Sequence, residues 1–376
     1  MNNIKKTIYV GVSGGVDSSV SVALLKEQGY KIVGVFIKVW QPDFVTCTWR
    51  EERRDAMRVC AVLDIPFLFM DLEEDYKKGV ADYMISEYKL GRTPNPDVMC
   101  NKYVKFGAFL KKALEIGADA VATGHYARVF SPKTVIEKSP VTVFGSNFGK
   151  KYHLLHGLDA NKDQSYFLWT LTQEQLSKIM FPIGHLQKSE VRKLADKFNL
   201  PTAKKKDSQG ICFIGKLDMK DFLKQFIKPK KGVVLNQDGE EIGVHDGAVF
   251  YTLGERHGFV ITKKGTEDGR YYVISKNIEK NTITVTNDIN ATPIAPLIKL
   301  AELQISQTNW IPSAPEIGKK YMARSRYRQS LEECEFIEIN KDTAMIKFTN
   351  PQPTATPGQS LVVYDGEYCL GGGVIE

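Results

Sequence analysis

No stretch of the 376 residues approaches the ~18 consecutive apolar positions that crossing a bilayer requires. The opening Met1-Asn-Asn-Ile-Lys-Lys runs directly into a strand-like segment without a signal-peptide core, so the cytoplasm is the expected location and no membrane partner is expected. Histidine is scarce, at six, and the six cysteines (47, 60, 100, 212, 334 and 369) include no Cys-x-x-Cys pair and no Cys/His cluster at metal-ligand spacing. A structural zinc or an iron–sulfur cluster is therefore disfavoured, and no metal site of the protein's own is expected. In a reducing compartment Cys47, Cys60, Cys334 and Cys369 read as small buried hydrophobes. No internal repeat is evident. A Walker loop is excluded too, because no glycine-rich loop ends in Gly-Lys-Ser/Thr.

What the chain does carry, near its start, is Ser13-Gly-Gly-Val-Asp-Ser-Ser19, entered by Ile8, Val10 and Val12 and followed by Val20, Ala23 and Leu24 at helical spacing. That order describes a strand, a tight loop and a helix. Two glycines allow the backbone close to an anion, and the helix start offers N–H donors with partial positive charge. A polar cap on an ordinary turn has the same composition. The Ser-Gly-Gly-x-Asp-Ser pattern, however, resembles the phosphate loop of the ATP pyrophosphatases, which implies that ATP is split into AMP and pyrophosphate.

With 43% hydrophobic residues the chain can bury a full core, and its length suggests two or three domains. Apolar runs at Ile32–Ile37, Phe67–Met70 and Asp119–Thr123 alternate with helical stripes at Ala56/Val59/Cys60/Leu63, at Tyr76/Val80/Tyr83/Met84 and around Phe106–Leu114. This alternation predicts a doubly wound α/β domain with a parallel sheet. Residues 128–152 weaken into Ser, Pro, Gly and Lys and read as a surface excursion. Thr172 with Gln175 makes a capping-box signature, Val191, Leu194, Ala195 and Phe198 form an apolar stripe, and Asp218 can cap a further helix. Beyond Pro229 the chain turns to short alternating strands. The expected division is a catalytic domain over 1–215, a small β-rich linking domain over 216–290 and a C-terminal β-barrel over 291–376.

The net charge of +7 is unevenly spread, since nine Lys and three Asp between Lys204 and Lys231 put 9 − 3 = +6 in one segment. A solvated lysine face and a polyanion footprint both fit that pattern. Arg324, Arg326 and Arg328 alternate, so on one strand they would share a face suited to phosphates, or simply form a solvated face.

Two cysteines stand apart from the other four. Two prolines stiffen residues 92–96, Asp97 can cap the next helix, and Cys100 would fall in its first turn, where thiolate is favoured; a buried structural thiol is the plainer alternative. Cys212 lies in Gly210-Ile-Cys-Phe-Ile-Gly215, after three lysines that favour an anion and among apolar neighbours that disfavour it.

Eight motifs in order then resemble the bacterial tRNA-specific 2-thiouridylases. They are the loop at 13–18, Asn-Pro-Asp-x-x-Cys-Asn at 95–101, Thr-Gly-His-Tyr at 123–126, Asn-Lys-Asp-Gln-Ser-Tyr-Phe at 161–167 and Asp-Ser-x-Gly-Ile-Cys-Phe-Ile-Gly at 207–215, then Arg-Tyr-Arg-Gln at 326–329, Thr-Pro-Gly-Gln at 356–359 and Cys-Leu-Gly-Gly-Gly at 369–373. The resemblance implies a tRNA-uridine 2-sulfurtransferase with Cys100 as nucleophile, Cys212 as persulfide carrier, Asp97 as acid/base, and a transient Cys100–Cys212 disulfide. It implies ATP contacts from Gly11, Val12, Ser13, Gly14, Gly15, Val16, Asp17 and Ser18, with Ile37, where the family commonly has methionine, and Gly124 beside the nucleotide. Asn95, Pro96 and Asp97 would meet the target base, and His125, Lys162, Asp163, Gln164, Arg326, Tyr327 and Gln359 would contact tRNA. Magnesium on the ATP phosphates, tRNA, and a sulfur-relay protein or cysteine desulfurase complete the implied set. Two other classes fit the phosphate loop alone: an adenylating synthetase that forms C–N bonds, and a non-catalytic RNA- or nucleotide-binding protein.

Overall fold

The computed structural model describes residues 6–45, 49–130, 151–206, 218–263, 269–287, 302–350 and 355–376. Its first sheet is all parallel, as the buried apolar runs predict. β1 (Thr7–Gly11) is central, flanked by β2 (Lys31–Lys38) and then β3 (Phe67–Asp71) on one side and by β4 (Ala120–Ala122) on the other. Helix α1 (Val16–Glu27) and helix α2 (Trp49–Val62) are the first two crossovers, and the stripe Ala56, Val59 and Cys60 is the buried face of α2.

The segment read as a surface excursion is built differently. Its two ends are β5 (Ala127–Phe130) and β6 (His153–His156), an antiparallel pair, after which β7 (Ile179–Met180) returns to the parallel sheet beside β4. β5 and β6 belong to the C-terminal sheet, through the pairing of β6 with a strand more than 200 residues further on. Residues 131–150, the middle of the excursion, lie outside the described set.

A second sheet holds β8 (Gly232–Leu235), β9 (Glu241–His245), β10 (Phe259–Ile261), β11 (Tyr272–Asn277) and β12 (Thr282–Thr286) in the order β10-β9-β8-β12-β11. Asp238-Gly239 makes the β8–β9 turn, with Gly239 at φ +84°. The third sheet contains β13 (Glu302–Trp310), β14 (Lys320–Arg324), β15 (Glu332–Ile339), β16 (Thr343–Phe348), β17 (Ser360–Asp365) and β18 (Tyr368–Ile375). Pairing of β13 with β18 closes these six into a barrel, and β6 adds to β18 through Tyr368↔Leu155 and Cys369↔Leu154.

The three sheets are welded by shared cores. Cys100, Phe106 and Trp169 bury against Val362, Tyr364 and Val374 of the barrel, while Met84, Ile85 and Tyr88 pack with Phe222, Val234 and Phe250 of the middle sheet. Burial of this kind stabilises at ~25 cal/mol per Å² of apolar surface, so the helical layer around residues 84–110 ties all three units to one another. The two predicted caps are present: the Thr172/Gln175 capping box, and Asp218 accepting from the Lys220 and Asp221 N–H groups.

Candidate active site

β1 ends at Gly11, and its alignment with β2 continues through Val12, whose N–H donates to the Val35 carbonyl at 2.8 Å. The chain then turns through Ser13-Gly14-Gly15 into α1. Gly14 sits at φ +74°, and a Cβ there would lie 2.5 Å from the Glu52 carbonyl oxygen, so only glycine fits. Gly15 is the N-cap of α1, in extended backbone, and no side chain caps the helix. Ser18 and Ser19 turn their hydroxyls back onto the Gly15 carbonyl, at 3.1 and 2.7 Å, and Ser18 Oγ also accepts from the Ser13 N–H at 3.3 Å. The hydroxyls thus bond back within the loop, and the first N–H groups of a twelve-residue helix have no side-chain cap, an arrangement that suits a phosphate.

Asp17 carries a partner that sequence reading missed. Lys188 Nζ lies 2.7 and 2.8 Å from its two carboxylate oxygens, and the Tyr126 hydroxyl donates to Oδ1 at 2.8 Å. Lys188 opens the helix Lys188–Lys197, where its N–H donates to Asp159. This places a mostly buried ammonium beside the phosphate loop, 171 residues from Asp17. No local signal in Gln187-Lys-Ser-Glu190 distinguishes it from an ordinary first-turn lysine. Gly124, expected beside the nucleotide, packs under the loop: a Cβ there would come within 2.6 Å of the Ser18 nitrogen.

The helix carrying Cys100 starts two positions earlier than expected. Asn95 is the N-cap, its side chain accepting from the Val98 N–H at 3.3 Å, with Pro96 at the first helical position; Asp97 lies inside the first turn and is not the cap. Counting from Pro96, Cys100 is the fifth helical residue, beyond the first turn, where it enters the π-helical stretch Cys100–Phe109. It is fully buried, at 0% exposure, against the core around Val98, Val104 and Phe106. The helix start therefore does little to favour its thiolate, and access to the thiol must be gained in another way. The end of β1 packs close to this helix: a Cβ at Gly11 would lie 3.8 Å from each of Ile37, Phe109 and Thr123. Cys212 and its apolar pentapeptide lie outside the described residues, as does Cys47. Cys60, Cys334 and Cys369 are buried as expected, and desolvation pushes their thiols up to about 11, 12 and 12, which keeps them protonated.

Several residues carried over as tRNA contacts face inward. His125 is 7% exposed, between the rings of Phe106 and Phe181, with Nδ1 2.7 Å from Thr123 Oγ1 and Nε2 3.5 Å from Lys105 Nζ. Burial, with a smaller contribution from Lys105, holds its pKa well below the usual histidine value, so the ring is neutral. Between its unfolded value near 6.5 and the lower native one, the unfolded chain takes up a proton that the native chain refuses. Stability contributed by this site is therefore lost as pH falls below about 6.5, at up to ~1.4 kcal/mol per pH unit. Denaturant titrations at pH 7.5 and 5.5 should show a smaller acid loss in His125→Asn than in the parent; an equal loss would refute a neutral buried imidazole.

Asp163 is 6% exposed and accepts from the Gly157 N–H, from the Ser165 N–H and hydroxyl, and from Arg324. The predicted row Arg324/Arg326/Arg328 is not formed. β14 ends at Arg324, which turns into the interface between Asp163 and Tyr364, and Arg328 has φ +65° in the turn that follows. Gln164 accepts from the Tyr126 N–H, and Tyr327 packs its ring 4.6 Å from that of Phe167. The lysine-rich segment is partly neutralised by acids outside it: Lys205 pairs with Asp55, Lys220 with Glu255 and Lys224 with Asp246. Arg326, half-buried and bonded to the Thr356 hydroxyl at 3.3 Å, lines a cavity of about 360 Å³ with Thr93, Thr252, Leu253, Glu255 and Gln359. That cavity opens where the loop before Cys100, the middle sheet and the barrel meet.

Among the described residues no group of His, Cys, Asp and Glu is placed to hold a metal, and no helix is long and apolar enough to cross a membrane. Three family models cover nearly the whole chain: a tRNA methyl transferase HUP domain over residues 6–216, a tRNA methyl transferase PRC-barrel domain over 220–287 and an aminomethyltransferase β-barrel domain over 300–375. A Streptococcus thermophilus protein named tRNA-specific 2-thiouridylase MnmA is 43% identical over all of this chain and 96% of its own length. One of the same name from Halalkalibacterium halodurans is 44% identical over 98% and 94%, and one from Klebsiella pneumoniae is 43% identical over 100% and 98%. Similarity of this extent, on a fold that sets a phosphate loop beside a cysteine-bearing helix, shows that the chain belongs to the tRNA-specific 2-thiouridylase family.

Proposed function

We propose that this protein replaces the oxygen on carbon 2 of the wobble uridine of tRNA with sulfur, using ATP. Family membership supports the reaction class, and one structural observation supports the assignment of parts. A Cβ at Gly11 would lie 3.8 Å from Phe109 on the helix of Cys100, so the end of β1 that leads into an uncapped helix start packs beside that helix, which supports assigning nucleotide activation and thiol chemistry to neighbouring parts of the fold.

ATP is the co-substrate. Its phosphates suit the N–H groups at Val16–Ser18 and the ammonium of Lys188, and magnesium accompanying those phosphates would offset their charge. The uridine 2-oxygen attacks the α-phosphorus, the bond to the β-phosphate breaks, and pyrophosphate leaves. Activation is needed because oxide is a poor leaving group, whereas AMP departs readily. The terminal sulfur of a Cys212 persulfide then bonds to carbon 2 and AMP is expelled. Cys100, as thiolate, attacks the Cys212 sulfur; the persulfide S–S bond breaks with its electrons passing to the transferred sulfur, and a Cys100–Cys212 disulfide remains for an external thiol to reduce. Asp97, three residues before Cys100 on the same helix, is the proposed acid/base, and Asn95 and Pro96 are the proposed contacts to the target base. Lys162, Gln164, Arg326 and Tyr327 are the proposed tRNA contacts, with His125 behind them. The sulfur itself would come from a relay protein or a cysteine desulfurase.

The test is mass analysis of nucleosides from tRNA incubated with the protein, ATP and a persulfide donor. We expect 2-thiouridine, with AMP and pyrophosphate in equal amounts. Pyrophosphate release that leaves the nucleosides unchanged would sink the sulfur-transfer reading.

A further inference from the structure

The loop from Arg92 to Asn95 places the start of the helix that bears Asp97 and Cys100, and it cannot organise itself. Prolines at 94 and 96 remove two N–H donors, and the buried Thr93 and Pro94 leave carbonyls that need donors from elsewhere. The C-terminal barrel supplies them. Gln359 Nε2 donates to the Thr93 carbonyl at 2.8 Å and to the Pro94 carbonyl at 3.2 Å, one bond for each hydrogen of its amide. In return the Thr93 N–H donates to the Pro357 carbonyl at 2.9 Å.

Gly358, between them, has φ +91°, and a Cβ there would lie 2.9 Å from the Thr93 nitrogen and 3.0 Å from Arg92 Cβ. The Pro357–Gln359 turn is itself bolted to the last strand of the barrel. Gly358 N–H donates to the Ile375 carbonyl, and the Ile375 N–H donates to the Gln359 carbonyl, both at 2.9 Å. From the other sides, Arg92 forks onto Glu87 with two 2.6 Å bonds, and the hydroxyls of Thr93 and Thr252 meet at 3.2 Å.

We infer that Gln359 is a positioning residue: through its two bonds, the 357–359 turn of the barrel sets the 92–95 loop and hence the placement of Asp97 and Cys100. This rests on the thiolation reading and gives Gln359 a role beside the tRNA contact expected of it, since both its amide hydrogens are engaged by the loop. The barrel then contributes to chemistry as well as to RNA binding, since a nucleophile displaced by about 1 Å can lose up to ~10²-fold in rate.

Gln359→Met keeps the side-chain length and removes both donors. Gly358→Ala pushes on the same loop from a residue with no side chain to offer RNA. For both variants we expect 2-thiouridine formation at saturating tRNA to fall about tenfold or more, and for Gly358→Ala, which removes nothing RNA could touch, the tRNA Kd from filter binding to stay unchanged within about twofold. In Gly358→Ala a weaker Kd with the saturated rate retained or a Kd loss matching the rate loss, or in either variant an unchanged rate, would overturn the inference. Absence of 2-thiouridine from the parent protein would overturn the thiolation reading instead.

Discussion

Cys100→Ser should lower 2-thiouridine formation by about 10³-fold or more while pyrophosphate release that depends on tRNA continues, at least for the first turnover. The two halves of the reaction use different parts of the fold. In the proposed mechanism activation is assigned to the loop at Ser13–Ser18 with Lys188, and sulfur release to the helix of Cys100. Sulfur release needs a thiolate that a serine hydroxyl cannot replace, because its pKa leaves almost none ionised near neutral pH. Cys212→Ser should have an effect of the same order, because no persulfide could form. Nucleoside mass analysis beside a pyrophosphate assay separates the halves, and either variant forming product at the parent rate would end the paired-cysteine mechanism. Complete burial of Cys100 adds a corollary to the same experiment. The thiol must be uncovered before it reacts, so the helix from Pro96 has to shift or open locally during turnover.

The largest stability effect is expected at Asp163–Arg324. The carboxylate and guanidinium meet at 2.5 Å with side-chain exposures of 7% and 9%, joining the loop after β6 to the end of β14. Taking either charge away strands the other in a dry interface, which costs about 3–5 kcal/mol. Asp163→Ala and Arg324→Ala should each lower the midpoint of urea unfolding accordingly. Asp163→Leu combined with Arg324→Met should recover much of the loss, because well-packed apolar replacements of buried ion pairs are often neutral. If Asp163 acted only by touching tRNA, Asp163→Ala would weaken tRNA binding and leave the unfolding midpoint in place. That outcome would refute the structural role.

These results separate what is local in the chain from what is not. The strand, glycine loop and helix at Thr7–Glu27 were legible because they are contiguous, and each acts on its neighbours through backbone geometry. The parallel sheet was legible for a similar reason, as strands buried on both faces must be continuously apolar. The helix start was displaced by two residues, from Asp97 to Asn95: both side chains can cap, and Pro96, favoured at the first helical position, decides between them. The arginine row failed because alternation along a strand says which side chains share a face only while the strand lasts, and β14 ends at Arg324.

By itself the sequence determined the three-part division into a parallel-sheet domain, a small β-rich unit and a barrel, and it set out the ordered motifs that mark the family. Those are properties of periodicity and of residues close together in the chain. Only the tertiary structure decided that Lys188 reaches Asp17, that β5 and β6 join the barrel sheet, that Asp163 and Arg324 form a buried lock, and that Gln359 holds the loop ahead of Cys100. Each of these pairs residues far apart in sequence, from about 160 to more than 260 positions in the side-chain contacts. Such pairings are chosen by how the sheets and their covering helices stack, and no local propensity carries that information.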